Sequence, residues 1–137
     1  MCGIGGILRV TAAGERHEPI PESWLDALDE RIAWRGPDGA GRWRDSATRP
    51  DGSIVEVALV HRRLSIIDHE GGGQPFVLKL RGHSPDQCPA CGVLSGADEL
   101  SEGADRTIAV FNGCIYNHRT LRAELVERGH RFISDHS

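Results

Sequence analysis

The chain has 137 residues, the size of one ordinary domain, long enough to bury a core. Sixteen lysines and arginines against 20 aspartates and glutamates leave a net charge of -4, which argues against a nucleic-acid or acidic-lipid binder that works by bulk charge. No apolar run reaches the roughly 18–20 residues of a membrane span, and the N-terminus has no secretory signal shape, so the expected location is cytoplasmic.

Residues 3–9, rich in glycine, predict a buried strand of little bulk. Thr11 to Pro21 is rich in turn formers. A helix follows, with Ser23 and Asp26 as a capping box and Trp24, Leu25, Leu28 and Ile32 on one face. Gly36 and Pro37 stop it. Residues 45–53 read as a polar loop. Val55 to His61 alternates as a strand, with Val55, Val57 and Leu59 on one face. Leu64 to Asp68 is a short apolar segment, and Glu70 to Pro75 a glycine turn. Residues 81–105 shift to polar, small and acidic types and predict a surface insertion. Thr107 to Phe111 predicts a strand ended by Asn112-Gly113. Asn117 is placed to cap a helix to about Arg128, with Leu121 and Leu125 inward and Gly129 as its stop. His130 to Ser134 begins a further strand. Strands and helices mixed in this order predict an α+β architecture.

Cys2 is the sharpest chemical feature. Removal of Met1, favoured by the small residue behind it, would give Cys2 both a thiol and a free α-amino group. Such an amine ordinarily titrates at about 7.7–8.0, so it can serve its own nucleophile as base. Gly3, Gly5 and Gly6 keep the backbone slim nearby. Position alone suits a small buried residue better; further blocks change that weighting. They are Arg35-Gly36-Pro37-Asp38-Gly39, His61-Arg62-Arg63-Leu64-Ser65-Ile66-Ile67-Asp68 and Phe111-Asn112-Gly113-Cys114-Ile115-Tyr116-Asn117. With Met1-Cys2-Gly3-Ile4-Gly5-Gly6, and in this order, they make the chain resemble the glutamine-hydrolysing domain of the class II amidotransferases, which use an N-terminal cysteine nucleophile. The Arg-Gly-Pro-Asp-Gly block favours the asparagine synthetase branch over the aminosugar and purine-pathway branches.

The resemblance implies a four-layer αββα sandwich of the N-terminal nucleophile hydrolase type. It implies that Cys2 attacks the side-chain amide of glutamine and that water then releases glutamate from the thioester. Asn112 and the Gly113 N–H match the oxyanion donors of the family, each typically worth about 2.7–4 kcal/mol. Arg63 matches the arginine that holds the substrate carboxylate, a task suited to guanidinium, and Leu64 and Ser65 match the pocket lining. The ammonia would serve asparagine synthesis from aspartate. The glutaminase step needs no cofactor; ATP and magnesium would belong to a synthetase domain beyond this chain. The expected partner is glutamine, with no nucleic acid and no membrane, and with a separate synthetase polypeptide or a homodimer as the protein partners in view.

Three features depart from that pattern. Cys114 stands where the family usually has a glutamate that helps bind the substrate ammonium. Losing such a charged hydrogen bond costs on the order of 1.5–3 kcal/mol. The resemblance aligns Ser137 with the serine of a Ser-Asp-x-Glu block, so its aspartate would come next; Asp135 lies two residues early and does not inherit the role. The expectation is therefore residues 1–137 as an incomplete domain, with a catalytically impaired remnant or binding module as the alternative reading. Lastly, Cys88-Pro89-Ala90-Cys91 is half of a zinc-ribbon pattern, with His83 as a third donor. A structural zinc site needs four ligands, so a reduced surface loop is the preferred reading. The other histidines show no spacing that suggests a site, and His61 reads as structural.

Overall fold

The computed structural model describes residues 1–66, 73–79, 93–94, 106–130 and 132. Three antiparallel strands form the first sheet: β1 (Gly3–Thr11), β2 (Gly39–Thr48) and β3 (Ile54–Arg63), with β3 in the middle. Gly3 lies opposite Arg62 in β1–β3, and Ala40 opposite Arg62 in β2–β3. The start of β1, the start of β2 and the end of β3 therefore share one end of the sheet. Helix α1 (Glu22–Ile32) packs on one face, and a single 3-10 turn at Ala33–Arg35 leads away from it.

The faces follow from strand alternation. Ile20, Leu25, Ala58 and Val60 make the buried apolar cluster, with Ile7, Leu28 and Ile32 packed against it. Gly5 lets the helix come close, since a Cβ there would sit 2.9 Å from the Leu28 side chain. The same face carries charge. Buried Asp29 of α1 accepts from Arg62 Nε at 2.5 Å and from Arg42 Nη2 at 2.8 Å. Buried Glu56 accepts from the Ile20 N–H at 2.8 Å and from Arg44 Nε at 2.8 Å, with His17 Nε2 3.5 Å away. Burial pushes both carboxyls up, but their N–H partners outweigh it and hold both below the ordinary values of 3.8 and 4.5. His61, facing away from α1, is pushed below its ordinary 6.5 by burial and by Arg63.

A second sheet has β4 (Phe76–Lys79) between β5 (Val93–Leu94) and β6 (Arg106–Ala109), all antiparallel. Helix α2 (His118–Glu127) ends in a Schellman pattern: His130 N–H donates to Leu125 O, Gly129 N–H to Val126 O, and Gly129 takes φ +88°. The two sheets approach at Gly41 of β2, where a Cβ would collide with the Gln74 carbonyl and with Pro75. This is a contact that only glycine permits.

The α+β class stands. Other expectations are corrected. Residues 3–9 lie within a longer strand on which Ile4, Leu8 and Val10 are exposed. The face of Val55, Val57 and Leu59 is half-open, and the buried face instead holds Glu56 beside Ala58 and Val60, because arginines and a backbone N–H satisfy the carboxylate. Helix α1 begins at Glu22 after Pro21 with no side-chain cap, so the Ser23–Asp26 box is not formed, and Trp24 is half-exposed beneath Arg9. Residues 45–48 are strand rather than loop. Val93–Leu94 pair with β4 inside the segment expected as insertion; the rest of 81–105, with His83, Cys88 and Cys91, lies outside the described residues. Asn117 occupies the cap of α2 without a side-chain cap bond, and Leu121 is partly exposed. Of the strand expected at 130–134, only His130 and Phe132 are described, and neither is in a strand.

Two predictions follow from packing and charge. Asp29 and Glu56 bind protons more weakly folded than unfolded, so their contribution is complete above the ordinary carboxylate range and is lost as pH falls through it. Neutral His61 has the same sign, starting near 6.5. Thermal melts should therefore show Tm falling steadily from pH 7.5 to pH 4, and His61→Gln should flatten the upper part of that fall. Separately, Gly41→Ala should lose about 1–3 kcal/mol in urea unfolding by overpacking against Gln74. Gly39→Ala, whose Cβ would find Arg63 Cβ at 3.6 Å, should stay within about 0.5 kcal/mol of the parent.

Candidate functional site

Antiparallel pairing carries the start of β1 to the end of β3, so Cys2 meets the residues just past that strand. Leu64 N–H points at Cys2 Sγ at 3.4 Å, and the thiol faces Leu64 O at 3.8 Å. The backbone of one residue thus addresses the sulfur with both a donor and an acceptor. Cys2 is half-buried, while Met1 before it is exposed and open to removal. Arg35 Nε donates to Cys2 O at 3.1 Å, which pins the peptide unit behind the thiol.

The block after α1 wraps this point. Gly36 is buried, and a Cβ on it would collide with the backbone of Arg62 and Arg63. Pro37 bridges to Arg63 in parallel fashion. Asp38 N–H donates to Arg63 O at 3.0 Å, and Ser65 N–H donates to Asp38 Oδ2 at 2.8 Å. Arg62 reaches Asp29 on the helix side, so Arg63 projects to the opposite face, the face of His61, on which its charge acts. His61 is fully buried, and its Nε2 finds no partner among the described residues.

The Asn112-Gly113-Cys114 turn follows β6 and is tethered to the same end of the first sheet. Gln74 Nε2 donates to Phe111 O at 3.1 Å, and Phe111 N–H donates to Gln74 Oε1 at 2.6 Å, as a strand neighbour would. The carbonyl of that same Gln74 sits over Gly41, which lies opposite His61. A Cβ at Gly113 would lie 2.7 Å from the tip of the exposed Phe111 ring, which would have to swing aside. Asn112, Gly113 and Cys114 are exposed. Among the described residues no hydrogen bond joins any of them to Cys2.

Cys2, Arg63, Leu64 and Ser65 thus come together directly, while Asn112, Gly113 and Cys114 are held near that end through Gln74. Gly3 and Gly5 make room for α1 rather than for the site: their absent Cβ atoms would meet Ile32 and Leu28. Sequence reasoning assigned no site role to Arg35, Asp38 or Gln74. The signal for the first two was present: Pro-Asp-Gly after a helix is a turn whose carboxylate seeks nearby N–H groups. Gln74 gave none, because its partner is thirty-seven residues away. No group of three or more His, Cys, Asp or Glu among the described residues is placed to hold a metal ion. No helix is long and apolar enough to cross a membrane among the described residues.

A family model described as a glutamine amidotransferase domain matches residues 1–83, and a second of the same description matches residues 91–137. Asparagine synthetase [glutamine-hydrolyzing] 1 of Bacillus subtilis is 31% identical over 135 residues, covering 98% of this chain and 16% of the relative. Asparagine synthetase [glutamine-hydrolyzing] 3 of the same organism is 26% identical over 132 residues, covering 96% of the chain and 16% of the relative. The glutamine–fructose-6-phosphate aminotransferase [isomerizing] of Zymomonas mobilis is 30% identical over 135 residues, covering 98% of the chain and 20% of the relative. The chain therefore spans about a sixth to a fifth of the length of these relatives. No solved structure matches it. On the family match and the motif-bearing segments just described, the chain belongs to the glutamine amidotransferase domain family.

Proposed function

We propose that the chain carries the glutamine-hydrolysing half-reaction of an asparagine synthetase-like amidotransferase, with Cys2 as nucleophile. The observation that carries the reading is the placement of Cys2 Sγ against the Leu64 backbone, beside Arg63. The sulfur bonds to the side-chain carbonyl carbon of glutamine, and the negative charge moves to oxygen. Asn112 and the Gly113 N–H supply donors for that oxyanion. The C–N bond breaks, and ammonia leaves with the proton that the cysteine gave up. Water then cleaves the thioester, returning the thiol and glutamate. Arg63 holds the substrate carboxylate, with Leu64 and Ser65 lining the pocket. With Met1 removed, the α-amino group of Cys2 shuttles the proton.

This reading takes the two sheets as the middle layers of a four-layer αββα sandwich, with α1 and α2 outside, and residues 1–137 as part of such a domain. The hydrolysis itself needs no cofactor. The names of the Bacillus relatives support asparagine synthesis as the use of the ammonia. ATP and magnesium would then serve a synthetase domain, in a separate polypeptide or elsewhere in the protein. The Zymomonas relative makes aminosugar synthesis the rival destination. Glutamine is the only partner that the proposal requires.

A second reading, a binding module without turnover, is favoured by one observation. Cys114 places an exposed thiol where the resemblance expects a glutamate for the substrate ammonium. The two readings differ in outcome. Under the first, the purified chain releases ammonia from glutamine, and Cys2→Ala lowers the rate by roughly three orders of magnitude or more. Ammonia release that persists in Cys2→Ala overturns the nucleophile, and a folded chain that releases none supports the binding module. Cys114→Glu should lower KM for glutamine about ten- to a hundredfold, with a smaller change in kcat, as a restored charged hydrogen bond implies.

A further inference from the structure

We propose that Asp38 is a positioning residue for Cys2: it sets the Arg63–Ser65 backbone so that Leu64 grips the sulfur. The inference deepens the reading of Cys2 as nucleophile and rests on it. Strand β3 ends at Arg63, so Leu64 lies beyond the ladder that fixes its predecessors. Asp38 takes over on both sides of it. Its N–H donates to Arg63 O at 3.0 Å, and its Oδ2 accepts Ser65 N–H at 2.8 Å. Leu64, held between these two ties, presents its N–H to Cys2 Sγ at 3.4 Å and its carbonyl at 3.8 Å.

The two Leu64 contacts suit the two states of the sulfur. The carbonyl accepts a hydrogen bond from the protonated thiol; the N–H supports the sulfur when it is anionic, the form that attacks. A tilt of the Leu64 peptide would weaken that N–H contact, because such bonds fall off steeply with angle. The Asp38 carboxylate is the one side-chain link in the latch. The Pro37 bridge and the bond to Arg63 O are backbone to backbone, so a substitution at 38 removes the carboxylate tie alone. Asp38 is exposed, which separates its local effect from the stability of the core.

The test alkylates the full chain with iodoacetamide at pH 7 and maps each cysteine by peptide mass spectrometry. The new S–C bond displaces iodide, so the rate at Cys2 reads the reactive form of its sulfur. Asp38→Ala should slow alkylation of Cys2 roughly two- to tenfold, the effect of one ordinary hydrogen bond, and leave Cys114 unchanged. Asp38→Asn keeps an acceptor oxygen and should stay within about twofold of the parent. Equal rates in Asp38→Ala and the parent overturn the proposal, and so does an Asn variant as slow as the Ala variant. Ile20→Ala serves as the structural control, since opening the core should speed or spare Cys2; selective slowing there would also overturn the proposal. Ammonia release by the parent, measured in parallel, keeps the two readings apart. Release without an Asp38 effect leaves the glutaminase standing and removes the positioning role; an Asp38 effect without release does the reverse.

Discussion

The register of β1 on β3 is the constraint on which the rest of the site depends. Gly3 opposite Arg62 places Cys2 beside the residues that follow β3. A slip of one residue would turn every side chain of β1 to the other face. It would also carry the Cys2 sulfur a full strand rise, roughly 3.3 Å, from Leu64. The Cys2–Leu64 contacts do not survive that displacement, so whatever holds the register holds the candidate site.

Strand β3, on which β1 is registered, is itself held by charge as much as by apolar packing. The buried apolar cluster is small, built on Ile20, Leu25, Ala58 and Val60. Around it, Asp29 ties α1 to both β3 and β2 through Arg62 and Arg42, and Glu56 ties β3 to β2 and to the segment before α1 through Arg44 and Ile20. A slipped β3 would leave these carboxylates buried without partners. Breaking a buried pair costs about 3–5 kcal/mol, far more than an exposed pair contributes. The charged layer therefore selects one placement of β3 against β2 and α1 even where its net stabilisation is modest. Its arginines sit on the helix side of the sheet, so Arg63, with the opposite parity, is left for the other face.

These relations explain what was legible in the sequence. The α+β class, β1, β3, the two helices and the Gly129 stop were readable because they rest on local periodicity and turn chemistry. Strand β2 was not: 45–53 reads as a polar loop, and Arg42 and Arg44 show their inward role only once their carboxylate partners in α1 and β3 are known. Alternation alone does not say which face of β3 turns inward, since Glu56 is polar by type yet is satisfied by Ile20 N–H and Arg44. Strands β4 and β5 are short and take their identity from pairing. At the site, the grouping of Cys2 with Arg63, Leu64 and Ser65 followed from the motif blocks. The latch by Asp38 and the splint by Gln74 are side-chain to backbone bonds over long sequence separations, for which a motif carries no geometric signal.

The distribution of charge around Cys2 also bears on what the pocket can distinguish. Arg35 stands behind the Cys2 peptide, and Arg63 projects on the face of His61, whose burial and proximity to Arg63 favour the neutral ring. Two arginines, Arg35 and Arg63, thus stand where the start of β1 meets the end of β3. The carboxylate of Asp38 is already engaged with Ser65 N–H, and Cys114 offers an ammonium group no charge. Under the proposed glutaminase, recognition in this part of the site would fall on the substrate carboxylate and on the side-chain amide. On that reading an amide without an α-amino group would lose little here, whereas one without the carboxylate would lose the interaction that Arg63 is proposed to supply.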